Sequence, residues 1–397
     1  MANERIFEYA SFPNRLAQCV WKKYVRNMLI ISKGEKALNS DRGSMKVVHI
    51  VNHFSEEGGG IERVIRDMYE RIASRSNIDF VIFSYGKKNE TKIIDNMCLR
   101  RLKGFRVSYM SVLPSLLREL IKEKPDVIHV HVPYPYGLVN GVITKVVLAK
   151  PLVVSYHTDP PLNLAISKMY KRIEPVLLRR ADVVLATSNT YKRNSEILRK
   201  LKNVEVLRLG INIHRFVPKQ CPDENIILTV GRKTFYKNTE MLIQAMENVR
   251  KEFPNAKLLI AGKDYERKEG KNIKFLGYLS DEELLSLYQR CTFFVLPSTT
   301  NDEGFGLVLL ESMACGKPVI AFDLWGPSEV IGDCGIIVKE KNVEALADGM
   351  IKLLKDEELR QDLARKARER VLRYFSIEAY DKMVDIYRDL ASSTRFE

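Results

Sequence analysis

Paired cysteines are missing from this 397-residue sequence. Its six cysteines stand at positions 19, 98, 221, 291, 315 and 334, and no two of them form a Cys-x-x-Cys pair. That spacing predicts neither a zinc ribbon nor a disulfide framework, and small thiols in apolar surroundings are common in protein cores. We therefore expect reduced cysteines in a cytosolic protein.

Long hydrophobic runs are missing as well. No segment approaches the ~18 to 20 uninterrupted apolar residues that a membrane-spanning helix requires. The N-terminus also lacks the apolar region and cleavage site of a signal peptide. Both absences predict a cytoplasmic protein that neither crosses a membrane nor is secreted.

Negative charge is in deficit, because 64 Lys and Arg residues face 50 Asp and Glu residues and leave a net charge of +14. This balance predicts an anionic partner: a phosphorylated substrate, an acidic membrane surface or nucleic acid. Zinc-finger spacing, RNP-type aromatic motifs and long Lys/Arg blocks are missing, and the basic residues are spread along the chain. Nucleic acid is therefore the least favoured of the three partners.

The chain is long enough for two cored domains, since single cores stop growing at roughly 250 to 300 residues. Short apolar runs alternate with helical ones, which indicates parallel, doubly wound sheets. The predicted strands are Val47–Val51, Asp79–Phe83, Val127–Val132, Leu152–Ser155 and Val183–Ala186, then, after a linker at Pro218–Pro222, Ile226–Val230, Lys257–Ala261, Ile273–Phe275, Phe293–Leu296, Val319–Phe322 and Gly335–Val338.

These runs predict an α/β protein of two Rossmann-like domains facing each other across a cleft, residues 45–217 and residues 218–375. Residues 1–44 form an N-terminal extension. Residues 376–397, with Ser376 as the expected helix N-cap, form a C-terminal helix that we expect to cross back onto the first domain.

Two amphipathic runs carry basic residues. Leu16–Ile31 is either a membrane-surface anchor, a helix packed on the body of the protein, or a leader segment. Ile166–Arg180 is helical in pattern, with a kink expected at Pro175, and is either a membrane-facing basic helix or an ordinary surface helix. An anionic membrane surface is thus one candidate partner.

The segment after strand Phe293–Leu296 has the features of a phosphate site. Glu303-Gly304-Phe305-Gly306-Leu307 opens a helix that ends near Gly316. Ligands of open α/β sheets bind at the carboxyl ends of the strands. Gly304 and Gly306 leave backbone N–H groups open at a helix N-terminus, where an anion is favoured.

Glu303 and Glu311 frame this turn. Eight helical residues rise roughly 12 Å, which is on the scale of the distance between the two sugars of a nucleotide sugar. One carboxylate could accept hydrogen bonds from the transferred hexose and the other from the ribose. The alternative for Glu311 is a solvated helix residue, but its apolar neighbours argue against it.

The segment Glu303-Gly304-Phe305-Gly306-Leu307-Val308-Leu309-Leu310-Glu311 resembles the E-x7-E signature of retaining GT-B glycosyltransferases of the GT4 family (glycosyl transferases group 1). Val230-Gly231-Arg232-Lys233-Thr234-Phe235-Tyr236-Lys237-Asn238 resembles that family's G-R-x4-K-[GN] segment. The resemblance covers Met45 to about Ser393. It implies the GT-B fold and a nucleotide-sugar donor whose diphosphate is bound by Arg232 and Lys237. The alternative for these two residues is a solvated loop with a surface pair.

The expected mechanism needs no metal and no cofactor. Asp-x-Asp, the usual metal motif of other glycosyltransferases, is missing, so Arg232 and Lys237 would meet the charge that develops on the departing diphosphate. His129-Val130-His131 places two imidazoles on one strand face, but no third ligand is apparent, and we predict no metal there.

The family resemblance also implies contacts from the first domain. Gly59 and Gly60, in the turn after the first strand, would lie beside the donor phosphates or the acceptor. His157 would contact the transferred sugar near the reacting centre, without acting as a general base. Tyr278 is expected near the base and sugar. Gly210-Ile211-Asn212 departs from the family, which commonly has Gly-[IV]-Asp there, so the resemblance implies no role for a carboxylate at this position.

The resemblance implies an enzyme that transfers a hexose-type sugar, with retention, from a UDP- or GDP-sugar to a saccharide or lipid-linked acceptor in cell-surface glycan biosynthesis. Two alternatives stay open. A phosphorylase or epimerase of the same fold would need a further acid, base or pyridoxal lysine. A non-catalytic scaffold should have lost Glu303, Glu311, Arg232 or Lys237, and none is lost.

Overall fold

The computed structural model describes residues 44–55, 58–73, 75–160 and 165–393. The segment Leu16–Ile31 lies outside these residues, so its predicted anchor role stays a prediction. Within the described residues, every helix is too short or too polar to cross a bilayer. The chain folds into two α/β domains, each built on a largely parallel sheet.

The first domain contains an eight-stranded sheet and a separate two-stranded hairpin. The sheet order is β10-β9-β8-β7-β1-β2-β4-β3, and among the described pairs of this sheet only β3–β4 is antiparallel. The strands are β1 (Met45–Ile50), β2 (Ile78–Gly86), β3 (Glu90–Ile94), β4 (Met97–Lys103), β5 (Phe105–Val107), β6 (Met110–Val112), β7 (Val127–Val132), β8 (Leu152–Tyr156), β9 (Val183–Ala186) and β10 (Val204–Val206).

Strands β3 to β6 and β10 are absent from the sequence-based prediction. The β3–β4 hairpin turns at Asp95 and Asn96, whose φ angles of 49° and 64° are both positive. Asp and Asn tolerate this conformation, and two such residues build the turn type that suits a two-residue hairpin. The pair Asp-Asn between two short apolar runs was therefore an available signal.

The second domain contains a six-stranded, fully parallel sheet in the order β13-β12-β11-β14-β15-β16. Its central strands are almost entirely buried, as expected where helices cover both faces of a sheet. The strands are β11 (Ile226–Val230), β12 (Lys257–Ala261), β13 (Ile273–Gly277), β14 (Phe293–Leu296), β15 (Val319–Phe322) and β16 (Ile336–Val338). Every strand predicted from the sequence is present, and the predicted fold class is confirmed.

Helices cover both sheets. They are α1 (Gly60–Ala73), α2 (Leu116–Glu123), α3 (Pro135–Leu148), α4 (Ala165–Leu178), α5 (Asn189–Asn194), α6 (Thr239–Glu252), α7 (Asp281–Arg290), α8 (Leu307–Ala314), α9 (Trp325–Ile331), α10 (Val343–Lys355), α11 (Glu357–Tyr374) and α12 (Asp381–Ser393). Helix α4 contains Pro175, and its side chains are described from Tyr170 onward.

Helix α12 packs on the first domain, although the second domain precedes it in the chain. Arg71 of α1 donates two hydrogen bonds to Asp381, of 2.7 and 2.5 Å, and Tyr387 is fully buried beside the first sheet. Ser376 does not act as the predicted N-cap. Its hydroxyl has no partner among the described residues, and a 3-10 turn over Ile377–Tyr380 precedes the helix.

The strand orders explain where loops from different parts of the chain meet. Between β11 and β14, and between β1 and β7, strands that are distant in sequence lie side by side. The loops that leave such neighbouring strands diverge to opposite faces of the sheet and open a crevice between them. Both crevices face the space between the two domains.

Candidate active site

A cleft of about 970 Å³ separates the domains. Both domains line it through the loops that leave the carboxyl ends of β1, β7, β8, β11 and β14. Every site residue expected from the sequence lies on its wall: Gly59, Gly60, His157, Arg232, Lys237, Tyr278, Glu303, Gly304, Phe305, Gly306, Leu307 and Glu311.

The loop from Glu303 to Gly306 lies directly against the first domain. Gly304 lies so near the first domain that a Cβ on it would sit 2.0 Å from the carbonyl oxygen of His157. Gly306 has a φ angle of +93°, which favours glycine, and it caps α8. Both glycines are required by the backbone, one for close approach and one for conformation.

Glu303 and Lys237 form a tight pair at this loop. Glu303 Oε2 accepts hydrogen bonds from Lys237 Nζ at 2.5 Å and from Ser298 Oγ at 2.8 Å. Burial alone would lower the pKa of Lys237, but the nearby Glu303 carboxylate outweighs it, so that the pKa is raised. Lys237 is therefore a fixed cation at the cleft wall.

Asn238 explains the last position of the G-R-x4-K-[GN] segment. Its φ and ψ angles, 42° and 49°, are left-handed, and the residue directly precedes α6. Glycine and asparagine adopt this conformation at low cost, which is why the segment ends in one or the other. The turn carries Arg232 and Lys237 to the cleft wall, Arg232 with its side chain exposed.

Glu311 is buried one turn inside α8. Its Oε2 accepts a 2.7 Å hydrogen bond from the hydroxyl of Tyr288. Burial raises the pKa of Glu311, and the opposing effects of Arg63 and Tyr288 only partly offset that rise. Glu311 is therefore not the solvated helix residue that was the alternative.

Arg63 is a cleft residue that sequence reasoning missed. It extends from α1 of the first domain to Asp281 of the second, with a 2.9 Å hydrogen bond to Oδ2, and it also lies 3.3 Å from Asp67. Burial disfavours its charge, but Glu311, Asp67 and Asp281 together outweigh burial and raise the pKa of Arg63. Arg63 thus links the two domains beside Glu311.

Glu62 was missed as well. Its carboxylate folds back over the glycine turn, where a Cβ on Gly59 would lie 2.5 Å from Oε2. Burial would raise the pKa of Glu62, but His53, whose Nδ1 lies 3.8 Å from Oε1, and the charge of Arg232 help to lower it instead. The sequence signal was an acidic residue in the first helical turn after three glycines.

His157 lies at the end of β8 and is part of a buried group of histidines. Its Nε2 is 3.0 Å from His131 Nδ1, and His131 Nε2 is 2.9 Å from His49 Nδ1. The expectation that His129 and His131 lack a third neighbour is wrong, since His49 lies with them. Both nitrogens of His129 are engaged, one by Tyr387 and one by Ser155, and the prediction of no metal stays a prediction.

Asn212 marks the departure from the family pattern. Its Oδ1 accepts hydrogen bonds from the backbone N–H groups of His214 and Arg215, at 3.1 and 3.2 Å. Its Nδ2 donates a 2.9 Å hydrogen bond to Glu70 of α1. An aspartate could accept the first two bonds but could not donate the third, so the amide ties the Asn212 turn to α1 within the first domain.

Two facing Rossmann-like domains, with a cleft that joins a glycine turn to a buried carboxylate and fixed cations, define a GT-B glycosyltransferase that uses a nucleotide sugar. The family profile for glycosyl transferases group 1 matches residues 211–370, and the profile for glycosyltransferase family 4 matches residues 58–215. The chain belongs to this family, which confirms the resemblance found in the sequence.

Relatives with known names agree with this assignment. The chain is 31% identical over 325 residues to the uncharacterized glycosyltransferase MJ1178 of Methanocaldococcus jannaschii, a match that covers 78% of this chain and 89% of that protein. It is 26% identical to the O-antigen chain mannosyltransferase C of Escherichia coli, over 87% of this chain and 98% of that one. The predicted transferase activity is confirmed.

Solved structures share the fold. The sucrose-phosphate synthase of Thermosynechococcus elongatus superposes with a TM-score of 0.72 at 23% identity, over 88% of this chain and 100% of that one. Anabaena HepE, in complex with UDP and glucose, superposes with a TM-score of 0.69 at 17% identity, over 87% of this chain and 99% of that one.

Proposed function

We propose that the protein transfers a hexose-type sugar from a UDP- or GDP-sugar to a saccharide or lipid-linked acceptor, with retention of the anomeric configuration, and forms an α-glycosidic bond. The observation that carries this proposal is the grouping of Glu303, Lys237, Arg232 and Glu311 on one cleft wall. Cations meet the diphosphate, and the two carboxylates accept hydrogen bonds from sugar hydroxyls.

The bond changes follow from this placement. The bond between the anomeric carbon and the diphosphate oxygen breaks, and the acceptor oxygen bonds to the same face of the sugar. The acceptor proton passes to the departing phosphate oxygen, and the new bond forms without a covalent intermediate on the protein. Arg232 and Lys237 stabilise the negative charge that grows on the diphosphate, as fixed charges in a cleft do most effectively.

We further propose that the reaction needs no divalent metal. Lys237 is held by Glu303 and is ready to meet an anion without reorganisation. The loop from Gly304 to Leu307 adds N–H groups at the start of α8. Together these groups supply the positive character that a metal provides in other glycosyltransferases.

The names of relatives suggest which donor to test first. One relative is an O-antigen chain mannosyltransferase, and another, from Corynebacterium glutamicum, is named as GDP-mannose-dependent. These names favour GDP-mannose as the first donor in a panel, and they favour cell-surface glycans as the class of product.

We also propose peripheral attachment to an anionic membrane surface, where a lipid-linked acceptor would be found. The net charge of +14 and two exposed arginines, Arg172 within α4 and Arg179 directly after it, support this proposal.

The test is thermal stabilisation by UDP-, GDP-, ADP- and dTDP-sugars, with and without EDTA. We expect one base to raise the melting temperature by several degrees, since a ligand at a hundred times its Kd adds about 2.7 kcal/mol. Glu311→Gln should weaken binding roughly tenfold to hundredfold, because a hydrogen bond to a charged group is lost. Glu358→Gln, at an exposed site outside the cleft, is the matched control.

The stereochemistry is tested by slow transfer to water. In proton NMR the first free sugar released from an α-linked donor should be the α-anomer, and a β-anomer would contradict retention. Stabilisation that disappears with EDTA would show that a metal is needed. If no nucleotide sugar stabilises the protein, the scaffold alternative replaces the enzyme.

A further inference from the structure

Three histidines form a continuous hydrogen-bonded chain that leads from the cleft into the first domain. His157 and His131 line the cleft, and His49 is fully buried on β1. The links are His157 Nε2 to His131 Nδ1, at 3.0 Å, and His131 Nε2 to His49 Nδ1, at 2.9 Å. At the inner end, His49 Nε2 has no hydrogen-bond partner within the described part of the chain.

All three rings are neutral at physiological pH. Burial lowers the pKa values of His49 and His131 well below the ordinary range, and neighbouring histidines lower them further. Burial also lowers the pKa of His157, to about 4, against the opposing effect of Glu62. Each ring therefore carries one N–H and one bare nitrogen.

Two hydrogen bonds among three neutral rings must all run in the same direction. Either His49 donates to His131 and His131 donates to His157, or both bonds are reversed. In the first direction His157 has its N–H on Nδ1, and His49 is left with a bare nitrogen. In the second, His49 is left with a buried N–H that has no acceptor among the described residues.

One observation favours the first direction. Buried donors without a partner are rarer than buried acceptors without one, and His49 Nε2 is buried with no partner among the described residues.

We propose that His131, backed by His49, is a positioning residue that fixes His157 as a neutral hydrogen-bond donor, with its N–H on Nδ1 and available to the transferred sugar. This inference rests on the proposed function, because the group that accepts the bond is an oxygen of the donor sugar. A neutral donor suits this position. The anomeric carbon becomes positively charged as the diphosphate departs, and a second positive charge beside it would raise the barrier.

The direct test is NMR of the free protein with 15N-labelled imidazoles, which reports which nitrogen of each ring carries the proton. The chain contains six histidines, so that single variants suffice for assignment. We expect His157 to carry its proton on Nδ1, with Nε2 bare. A proton on Nε2 would overturn the proposal. Because no donor is needed, this result stands even if the proposed reaction fails.

Variants on β7 distinguish a positioning role of His131 from a role in packing alone. In His131→Phe, we expect His157 to lose its single protonation form and kcat to fall about tenfold, as expected for one lost hydrogen bond, while donor affinity changes less than threefold. His131→Asn places an amide N–H near the site of Nδ1 and should restore both readouts in part.

His129→Phe is the matched control, because His129 lies on the same strand, is stacked on His131 at 4.5 Å and is outside the chain of hydrogen bonds. This variant should lower stability and leave the protonation form of His157 unchanged. If His129→Phe and His131→Phe alter His157 and kcat equally, the histidines act only in packing and the proposal is wrong.

Discussion

Glu174 illustrates how a single buried group makes the stability of the first domain depend on pH. Its side chain is fully buried in α4, and Oε1 accepts a 3.2 Å hydrogen bond from Tyr170. Oε2 has no hydrogen-bond partner among the described residues. Burial raises the pKa of Glu174 to about 8, and the nearby Asp159 adds to the rise. The folded protein therefore keeps a proton that the unfolded chain releases.

From this we predict how Glu174→Gln changes stability. The folded pKa is about 8 and the ordinary value is 4.5. The protonated carboxyl therefore contributes fully to the free energy of unfolding below pH 4.5, and this contribution is lost as the pH rises towards 8. The free energy of unfolding of Glu174→Gln should rise by a few kcal/mol relative to that of wild type between pH 5 and 8, since one pKa unit corresponds to about 1.4 kcal/mol.

The measurement is urea unfolding of both proteins at several pH values. Glu358→Gln, at an exposed site, should follow the wild-type curve throughout. Parallel curves for Glu174→Gln and wild type would show that the carboxyl is not held protonated.

Some site residues could be predicted from the sequence, and others could not. Glu303, Glu311, Arg232 and Lys237 stand in motifs, so each could be recognised from its neighbours. Arg63 could not, because its partner Asp281 lies 218 residues away and the pairing depends on how the domains meet. The histidine chain was hidden for the same reason, since it joins three separate strands.

Among the elements, the loop from Glu303 to Gly306 sets how closely the domains approach. A Cβ at Gly304 would overlap the carbonyl oxygen of His157, and neither backbone can move without separating the two domains. Gly304→Ala should therefore lower kcat/KM by about a hundredfold, because a misplacement of about 1 Å in a reacting complex costs that much.

The control for this loop is Gly349→Ala in α10. A Cβ there would make only ordinary contacts, of 3.5 Å or more, and alanine favours a helix interior. Its kcat/KM should stay within about twofold of wild type. Should Gly304→Ala also stay within twofold, the close approach seen here is not needed for the reaction.

The regular helices and strands were predictable because the spacing of their apolar residues can be read from one continuous stretch of sequence. The parallel strands and their helices followed from alternating apolar runs. The β5–β6 hairpin did not, because its strands are three residues long and Phe105 and Val107 are exposed, which leaves no burial pattern to detect. The length of an element and its burial, more than its type, decided what could be predicted.

For the whole molecule, the positive net charge makes membrane attachment testable. The protein should sediment with vesicles that contain phosphatidylglycerol at low salt, and should be released in 1 M salt, where the Debye length falls to about 3 Å. The double variant Arg172→Gln/Arg179→Gln, at exposed positions within and directly after α4, should bind several-fold more weakly.

The double variant Arg250→Gln/Lys251→Gln removes the same charge from α6 of the second domain, at two exposed positions, and should bind like wild type. Equal weakening by both variants would mean that net charge, and not α4, directs binding. No sedimentation with anionic vesicles at low salt would remove the membrane proposal altogether.

Helix α12 has a consequence for how the protein is made. The first domain buries Tyr387, whose hydroxyl bonds His129 at 2.6 Å, and pairs Arg71 with Asp381. A ribosome delivers those partners only after the whole second domain has emerged. During synthesis one side of the first domain's core therefore stays uncovered until the second domain and α12 have been translated. The two domains are separate units in space, but the earlier one is completed last.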